Sequence, residues 1–380
     1  MSKINFINDK IENKILLDIL IKTDLEIIAY FDDTMMRIVA DAPRNDYKEI
    51  HLHKFLDDYF SCKKFDQSFI NKLLIVYDET PSPEIIIALH NWFKKQCCKM
   101  SNLILISTHT LNLNEWYNKY CDLTLQSGFT VIDTPLAYYF DKLLHNIQAI
   151  ENYKIKNLQH YFTYFGGTHS TTERDFITAC VMLYKNLGHI DYIGGYISTY
   201  KEFDDFLEEI TEFQDRSLCD KLMLARKAYE WPNNSISQDE TVEIAYVGKN
   251  VHNKVSAFNL TRETADSFPF CIFTEKSIKT FLDMQIILPI GYQSINIIKQ
   301  NGFIFMEDLI NYNYQYEKKL HLRLLAALEQ IEKISKNYTL SQLAEKLYDS
   351  RDILLYNLNY IASGEFYKNS ARNLVKKIYA

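Results

Sequence analysis

The sequence predicts an α/β protein with parallel sheets, closed by helices at its C-terminal end. Three observations predict it. Short apolar runs alternate with helical patterns, the order that parallel strands joined by helices produce. Several runs end in acidic or hydroxyl residues just before a helix start, where open α/β sheets hold ligands. The chain of 380 residues exceeds the usual size of one domain. The alternation therefore divides into an N-terminal α/β domain over 1–150, a second α/β domain over 151–316 and a helical tail over 317–380.

In the first domain, Leu25–Phe31 reads as a strand ending at Asp32-Asp33, and Arg37–Ala40 as another. KLLIVY, Lys72 to Tyr77, is a buried strand ending at Asp78-Glu79. Pro83 stands at the first position of the next helix, where its missing N–H costs nothing, and that helix runs to about Gln96. Leu103–Ile106 is a strand ending at Ser107-Thr108-His109. Asn112 or Asn114 caps a helix through Tyr120. Phe129–Ile132 is the last strand, before Asp133-Thr134-Pro135, and a helix over roughly 136–150 leads out.

The second domain opens with the strand Tyr161–Phe165 and a loop from Gly166. A helix containing Arg174 runs to Tyr184, and a strand from His189 ends at Gly194-Gly195. Residues 202–230 are charged and helical, and 232–240 (PNNSISQDE) is the most loop-like stretch. Ala257–Leu260 is a short strand. Thr274 is placed to cap a helix opening at Glu275. Ile286–Ile290 is a buried strand, a helix begins near Ser294, and Asn301-Gly302 turns the chain into a short strand, Phe303–Phe305. Helices over 317–336, 340–347 and 352–362 follow, and a basic helical tail ends the chain.

Composition narrows the function. Hydrophobic residues at 47% and charged residues at 24% are those of a soluble globular protein. A net charge of −7 argues against broad nucleic-acid binding, so no stable nucleic-acid partner is expected. Seven cysteines form no CxxC or Cys/His zinc pattern and read as reduced thiols of a cytoplasmic protein. No run has the length of a membrane span, and the first residues lack an apolar signal core, so no transmembrane segment is expected.

A lysine in the first turn of a helix, such as Lys276, opposes the helix dipole. Placed against a phosphate it instead joins the backbone N–H groups and the dipole in facing one anion. From spacing alone, a solvated Glu275–Lys276 pair is the more common outcome, since exposed charges are the norm. For Arg174 the plain alternative is a salt bridge with a helix neighbour, and for Glu263 a pairing with Arg262 or Lys254.

Two ordered sets of residues carry a resemblance. The first is Phe258-Asn259-Leu260-Thr261-Arg262-Glu263-Thr264, then Thr274-Glu275-Lys276, then Leu288-Pro289-Ile290-Gly291. The second is the strand from Tyr161, the loop from Gly166, Arg174 on a helix, and the strand ending Gly194-Gly195. In this order they resemble the donor-binding half of the α1,3/α1,4-fucosyltransferase family and its bacterial and phage relatives, over roughly residues 160–310.

The resemblance implies a GT-B arrangement, two Rossmann-like domains facing a cleft. It implies a metal-independent, inverting glycosyltransferase that moves fucose or a similar sugar from GDP-fucose or another nucleotide-sugar to a glycan or other hydroxyl acceptor. No metal or resident cofactor is expected. Arg174 and Lys276 would neutralise the diphosphate, Arg174 as a planar fork and Lys276 as a point charge. Thr274, Glu275, Gly194 and Gly195 would line the donor, with Glu275 on its ribose, and Glu263 would face the sugar. Glu79, after an apolar strand of the other domain, matches the family's general base, with Asp78 as the near alternative. Two positions depart from the family. Ile272 stands where it has a tyrosine, and Thr264 where it has an asparagine. They keep a second reading open, a catalytically inactive nucleotide- or glycan-binding module of the same fold.

Overall fold

The structure, a computed structural model, describes residues 16, 19–20, 26–31, 53–54, 56–58, 73–77, 81–96, 98–136, 153–168, 172–193, 199–210, 216–228, 254–263 and 269–379. Its contacts divide the chain into two units. The first comprises Met1–His145, Ser267–Thr274 and Gly364–Ala380, the second Asn146–Asp266 and Glu275–Ser363. Among the described residues each unit holds one parallel sheet of four strands.

The first unit's sheet runs β1 (Glu26–Phe31), β2 (Leu73–Tyr77), β3 (Leu103–Ser107) and β4 (Thr130–Asp133), side by side in chain order. Every residue of β3 is buried, as a central parallel strand covered on both faces requires. Helix α1 (Pro83–Lys95) starts where Ser82 Oγ accepts from Ile85 N at 3.3 Å. Lys94 and Lys95 fall in its last turn, where the dipole favours positive charge.

Beside α1 lies α2 (Leu113–Thr124). A buried network joins them through His90. Its Nε2 meets the amide oxygen of Gln126 at 2.7 Å and so must donate. Its Nδ1 then accepts from the Tyr117 hydroxyl at 2.6 Å, which in turn accepts from Phe129 N at 3.2 Å. Burial lowers the His90 pKa and keeps this ring neutral.

The second unit's sheet contains β5 (His160–Thr168), β6 (Gly188–Ile193), β7 (Ser256–Thr261) and β8 (Ile286–Pro289), in the order β6-β5-β7-β8. Between them run α3 (Thr172–Met182), α4 (Tyr200–Ile210), α5 (Arg216–Ala228) and α6 (Glu275–Leu282). The charged stretch 202–230, expected to be helical, holds α4 and α5. At the start of β6, a Cβ on Gly188 would lie 2.3 Å from the buried Phe162 ring, so the ring occupies the space a side chain would need. Under α6, Gln285 Nε2 donates to Ser256 Oγ at 2.7 Å and Thr163 Oγ1 at 3.1 Å, while its oxygen accepts from Asn259 at 3.2 Å.

Strand β8 is an edge, and its outward carbonyls are closed by side chains. Tyr312 OH donates to Ile287 O and Tyr314 OH to Pro289 O, each at 3.3 Å, and Gln315 Nε2 also reaches Pro289 O. All three belong to a 3₁₀ turn, Tyr312–Tyr316. Burial raises both phenol pKa values, so both hydroxyls stay protonated donors. After β8 come α7 (Ser294–Gln300), α8 (Leu320–Asn337), α9 (Leu340–Asp349) and α10 (Arg351–Ala362). Thr339 and Gln342 form a capping box at the start of α9. The last helix, α11 (Glu365–Tyr379), belongs to the first unit and buries Phe366, Tyr367, Leu374 and Ile378.

Two expectations are corrected. Phe303–Phe305 is not a strand. Asn357 on α10 accepts from Ile304 N at 2.9 Å and donates to Ile304 O at 2.7 Å, replacing the pairing a neighbouring strand would give. Phe303 meanwhile stacks on Phe281 with ring centroids 4.4 Å apart. Gly166-Gly167 do not open a loop. They continue β5, with a register shift against β6 between Phe165 and Thr168, a place where glycine suits a bulge. The expected strand Arg37–Ala40, the helix expected over 136–150, apart from Leu136, and the loop 232–240 lie outside the described residues.

Candidate functional site

The sheet order of the second unit marks a candidate ligand position. From β5 the chain passes through α3 to β6 on one side, then returns through α4 and α5 to β7 on the other side of β5. The carboxyl ends of β5 and β7 are therefore a topological switch point, the crevice where open α/β sheets bind ligands. Residue pairing between these two strands ends at Tyr164 and Leu260. Beyond it, β5 continues through Gly166-Gly167, while β7 ends at Thr261 and the chain runs on into Arg262 and Glu263.

Glu263 is buried there at 6% exposure, and its Oε1 accepts from Ser277 Oγ at 2.6 Å. Ser277 is the third residue of α6, so the first turn of that helix is tied to the end of β7. Lys276, one residue earlier, is half-buried, and its carbonyl accepts from Thr280 Oγ1 at 3.0 Å. Thr274 is buried immediately before the helix. Arg174 is the third residue of α3, the helix that follows β5. The first turns of α3 and α6 thus follow the two strands that flank the switch point. One carries the backbone of Arg174, the other Lys276 and Ser277.

Ser277 escaped the sequence reading. Its signal was a hydroxyl in the first helical turn, which reads as an ordinary helix start until the β7 end is placed beside it. Glu275 is the first residue of α6. The side chains of Glu275 and Arg174, and all of Glu79, Asp78, Gly194, Gly195 and Thr264, lie outside what the structure describes. Among the described residues no three His, Cys, Asp or Glu side chains gather as a metal-binding group. Among them, too, no helix is long and apolar enough to cross a membrane.

In the first unit, the strand ends also carry polar groups. His109, after β3, is 1% exposed, with its Nδ1 at 2.9 Å from Thr108 Oγ1. Asn112 stands at the N-cap of α2 but makes no side-chain cap. Its amide oxygen accepts from Cys271 N, and Thr110 pairs with Ile272 in an antiparallel bridge. Ile272, at 4% exposure, is therefore a packing residue of the first unit.

Near the α2 N-terminus lies Asp133, at the end of β4, whose carboxylate feels the backbone N–H groups of Leu113 and Asn114. Burial pushes its pKa up to about 6, against the lowering effect of Lys377, its own backbone N–H and the two helix donors.

This Asp133 shift has a measurable sign. The folded pKa lies above the unfolded value of 3.8, so the fold binds the extra proton between these pH values. The stability it contributes is complete below pH 3.8 and is lost as pH rises through about 6. Asp133→Asn keeps an oxygen acceptor for the helix and removes the buried charge. It should raise stability at pH 7.5 by on the order of 2 kcal/mol relative to its effect at pH 4. Urea unfolding at the two pH values checks this, and an equal difference at both would refute it.

No family model matches the chain, and no curated protein matches it. Among solved structures, a variant of Staphylococcus aureus TarM in complex with fondaparinux, α-GlcNAc-glycerol and UDP is similar at 11% identity, with a TM-score of 0.24. The match covers 81% of this chain and 59% of that one, so the chain spans less than two thirds of that protein's length.

Proposed function

We propose that the second unit binds a nucleotide-sugar at the β5/β7 crevice and that the protein transfers the sugar to a hydroxyl acceptor. One observation carries this reading. A buried carboxylate just past the end of β7, Glu263, is held by the first turn of α6, and that turn also bears Lys276. A diphosphate there would meet the helix N–H groups and dipole together with the ammonium. As the leaving group departs, its growing charge would be held by Lys276 and Arg174 in place of a metal ion. Glu263, its orientation fixed by Ser277, would face the positive charge that develops on the sugar. The acceptor's proton would pass to a carboxylate, for which Glu79 remains the candidate. Fucose as the sugar, GDP as the nucleotide and inversion at the anomeric carbon rest on the resemblance to fucosyltransferases alone.

The test is release of nucleoside diphosphate from a panel of GDP- and UDP-sugars during long incubation with the full chain. Slow release from at least one donor is expected, falling at least tenfold in Glu263→Gln, which keeps an acceptor for Ser277. No release from any donor, or equal release by the variant, would count against transfer.

A second reading is favoured by Ile272, buried in the first unit at the position where the family has a tyrosine. It is a module that binds nucleotide or glycan without turnover. Nucleotide binding with no release would select it.

A further inference from the structure

The structure points to a second, separate ligand site in the unit that carries β5–β8. We propose that the cavity between α7 and the 3₁₀ turn Tyr312–Tyr316 binds one unit of a neutral oligosaccharide. The cavity measures about 360 Å³, within the range of small-ligand pockets. It is built on rigid elements. The turn is fastened to the edge strand β8 by the Tyr312, Tyr314 and Gln315 bonds described above, and Gln315 O also accepts from Gln293 N at 3.0 Å.

Three features of the wall specify the ligand class. The first is aromatic. Tyr316 lines the cavity and is 53% exposed, so its ring is open to a ligand. Asn296 Nδ2 donates to its hydroxyl at 2.7 Å and so fixes the ring position. A pinned, uncovered ring suits the C–H face of a pyranose, which has an apolar face and a polar rim as tyrosine does.

The second feature is a set of amides with capacity to spare. Asn296 keeps its Oδ1 as an acceptor, because its Nδ2 serves Tyr316. Asn311 keeps its Nδ2 as a donor, because its Oδ1 accepts from Asn313 N at 3.0 Å. Among the described residues neither remaining group has a partner. The Tyr316 hydroxyl, accepting from Asn296, has its own proton left to donate. Paired donors and acceptors of this kind match neighbouring sugar hydroxyls, each of which both gives and takes a hydrogen bond.

The third feature is charge. The cation at the cavity, Lys299, is ion-paired with Glu307. The wall is therefore close to neutral where a phosphate or carboxylate ligand would need an unspent cation. That selects a neutral sugar over an anionic one.

The site stands on these residues and not on the nucleotide reading, and its test needs no nucleotide. The full chain is applied to an array of neutral and N-acetylated oligosaccharides. Hits are titrated by saturation-transfer difference NMR, with uridine, adenosine and inorganic phosphate as comparison ligands. At least one neutral oligosaccharide should bind. Its affinity should fall at least tenfold in Tyr316→Ala and in Asn296→Ala, with the thermal midpoint of each variant unchanged. Tyr316→Phe, which keeps the ring, should bind better than Tyr316→Ala. The proposal is overturned if no saccharide on the array binds, if the alanine variants bind as the native chain does, or if a nucleoside or phosphate occupies the site instead.

Discussion

Lys276→Ala is expected to weaken binding of a nucleoside diphosphate by about 10- to 100-fold, the worth of one charge-assisted hydrogen bond to phosphate. The fold should tolerate the change. Lys276 is half-buried in the first turn of α6, its carbonyl bond to Thr280 uses only backbone, and alanine is a better helix former. The helix should even gain slightly, since a cation at its positive end is removed. A lysine that only covers surface would give the same small gain in stability with no loss of affinity. Calorimetric titration of GDP and UDP into both proteins, with their thermal midpoints measured alongside, separates the two cases. Arg174→Ala tests the partner turn in the same way. Together the two variants should lose more than either alone.

The largest expected loss of stability comes from Arg323, far in sequence from the crevice residues. Its side chain is 1% exposed on α8. The guanidinium Nε donates to Ile290 O at 2.7 Å, and Nη1 donates to Glu317 O and Lys318 O, each at 2.8 Å. It lies over the Tyr292 ring, with its Cζ 5.7 Å from the centroid. One planar fork thereby ties the exit of β8 to the entry of α8. Arg323→Met fills similar space but leaves three carbonyls without that donor. The buried Ile290 carbonyl left unmet costs about 1–3 kcal/mol, and the part-buried Glu317 and Lys318 carbonyls add less, so a loss of roughly 2–3 kcal/mol is expected. Arg323→Lys should recover only part of it, because one ammonium on a flexible stem does not reproduce the fork. Urea denaturation followed by circular dichroism reads the loss. A variant as stable as the native chain would show that water serves these carbonyls.

The strands were legible where apolar runs are buried. LILIS and IILP are buried throughout, as are Leu74–Val76 within LLIVY, because parallel strands are covered on both faces and need no alternation. The α1 start was legible because Pro83 acts locally. What misled was long-range substitution of one partner for another. Phe303–Phe305 has strand composition, but the side chain that satisfies Ile304 arrives from α10, so no local pattern announces it. Asn112 has the right chemistry for a cap, yet its side chain is drawn away to Cys271. The stretch Ser267–Thr274 reads as a loop inside the later domain, but its backbone pairs with the residues after β3: Leu111 N donates to Cys271 O and Phe273 N to His109 O. In the candidate site, residue order pointed to Glu263 and Lys276. The Glu263–Ser277 bond depended on how α6 returns to β7, which spacing does not encode.

The central claim is that the first turn of α6 is a phosphate seat. A crystal structure of the chain soaked with GDP or UDP tests it most directly. The account predicts the diphosphate at the carboxyl ends of β5 and β7, with a phosphate oxygen about 3 Å from Lys276 Nζ. Nucleotide density elsewhere, with Lys276 touching only protein or solvent, would contradict it.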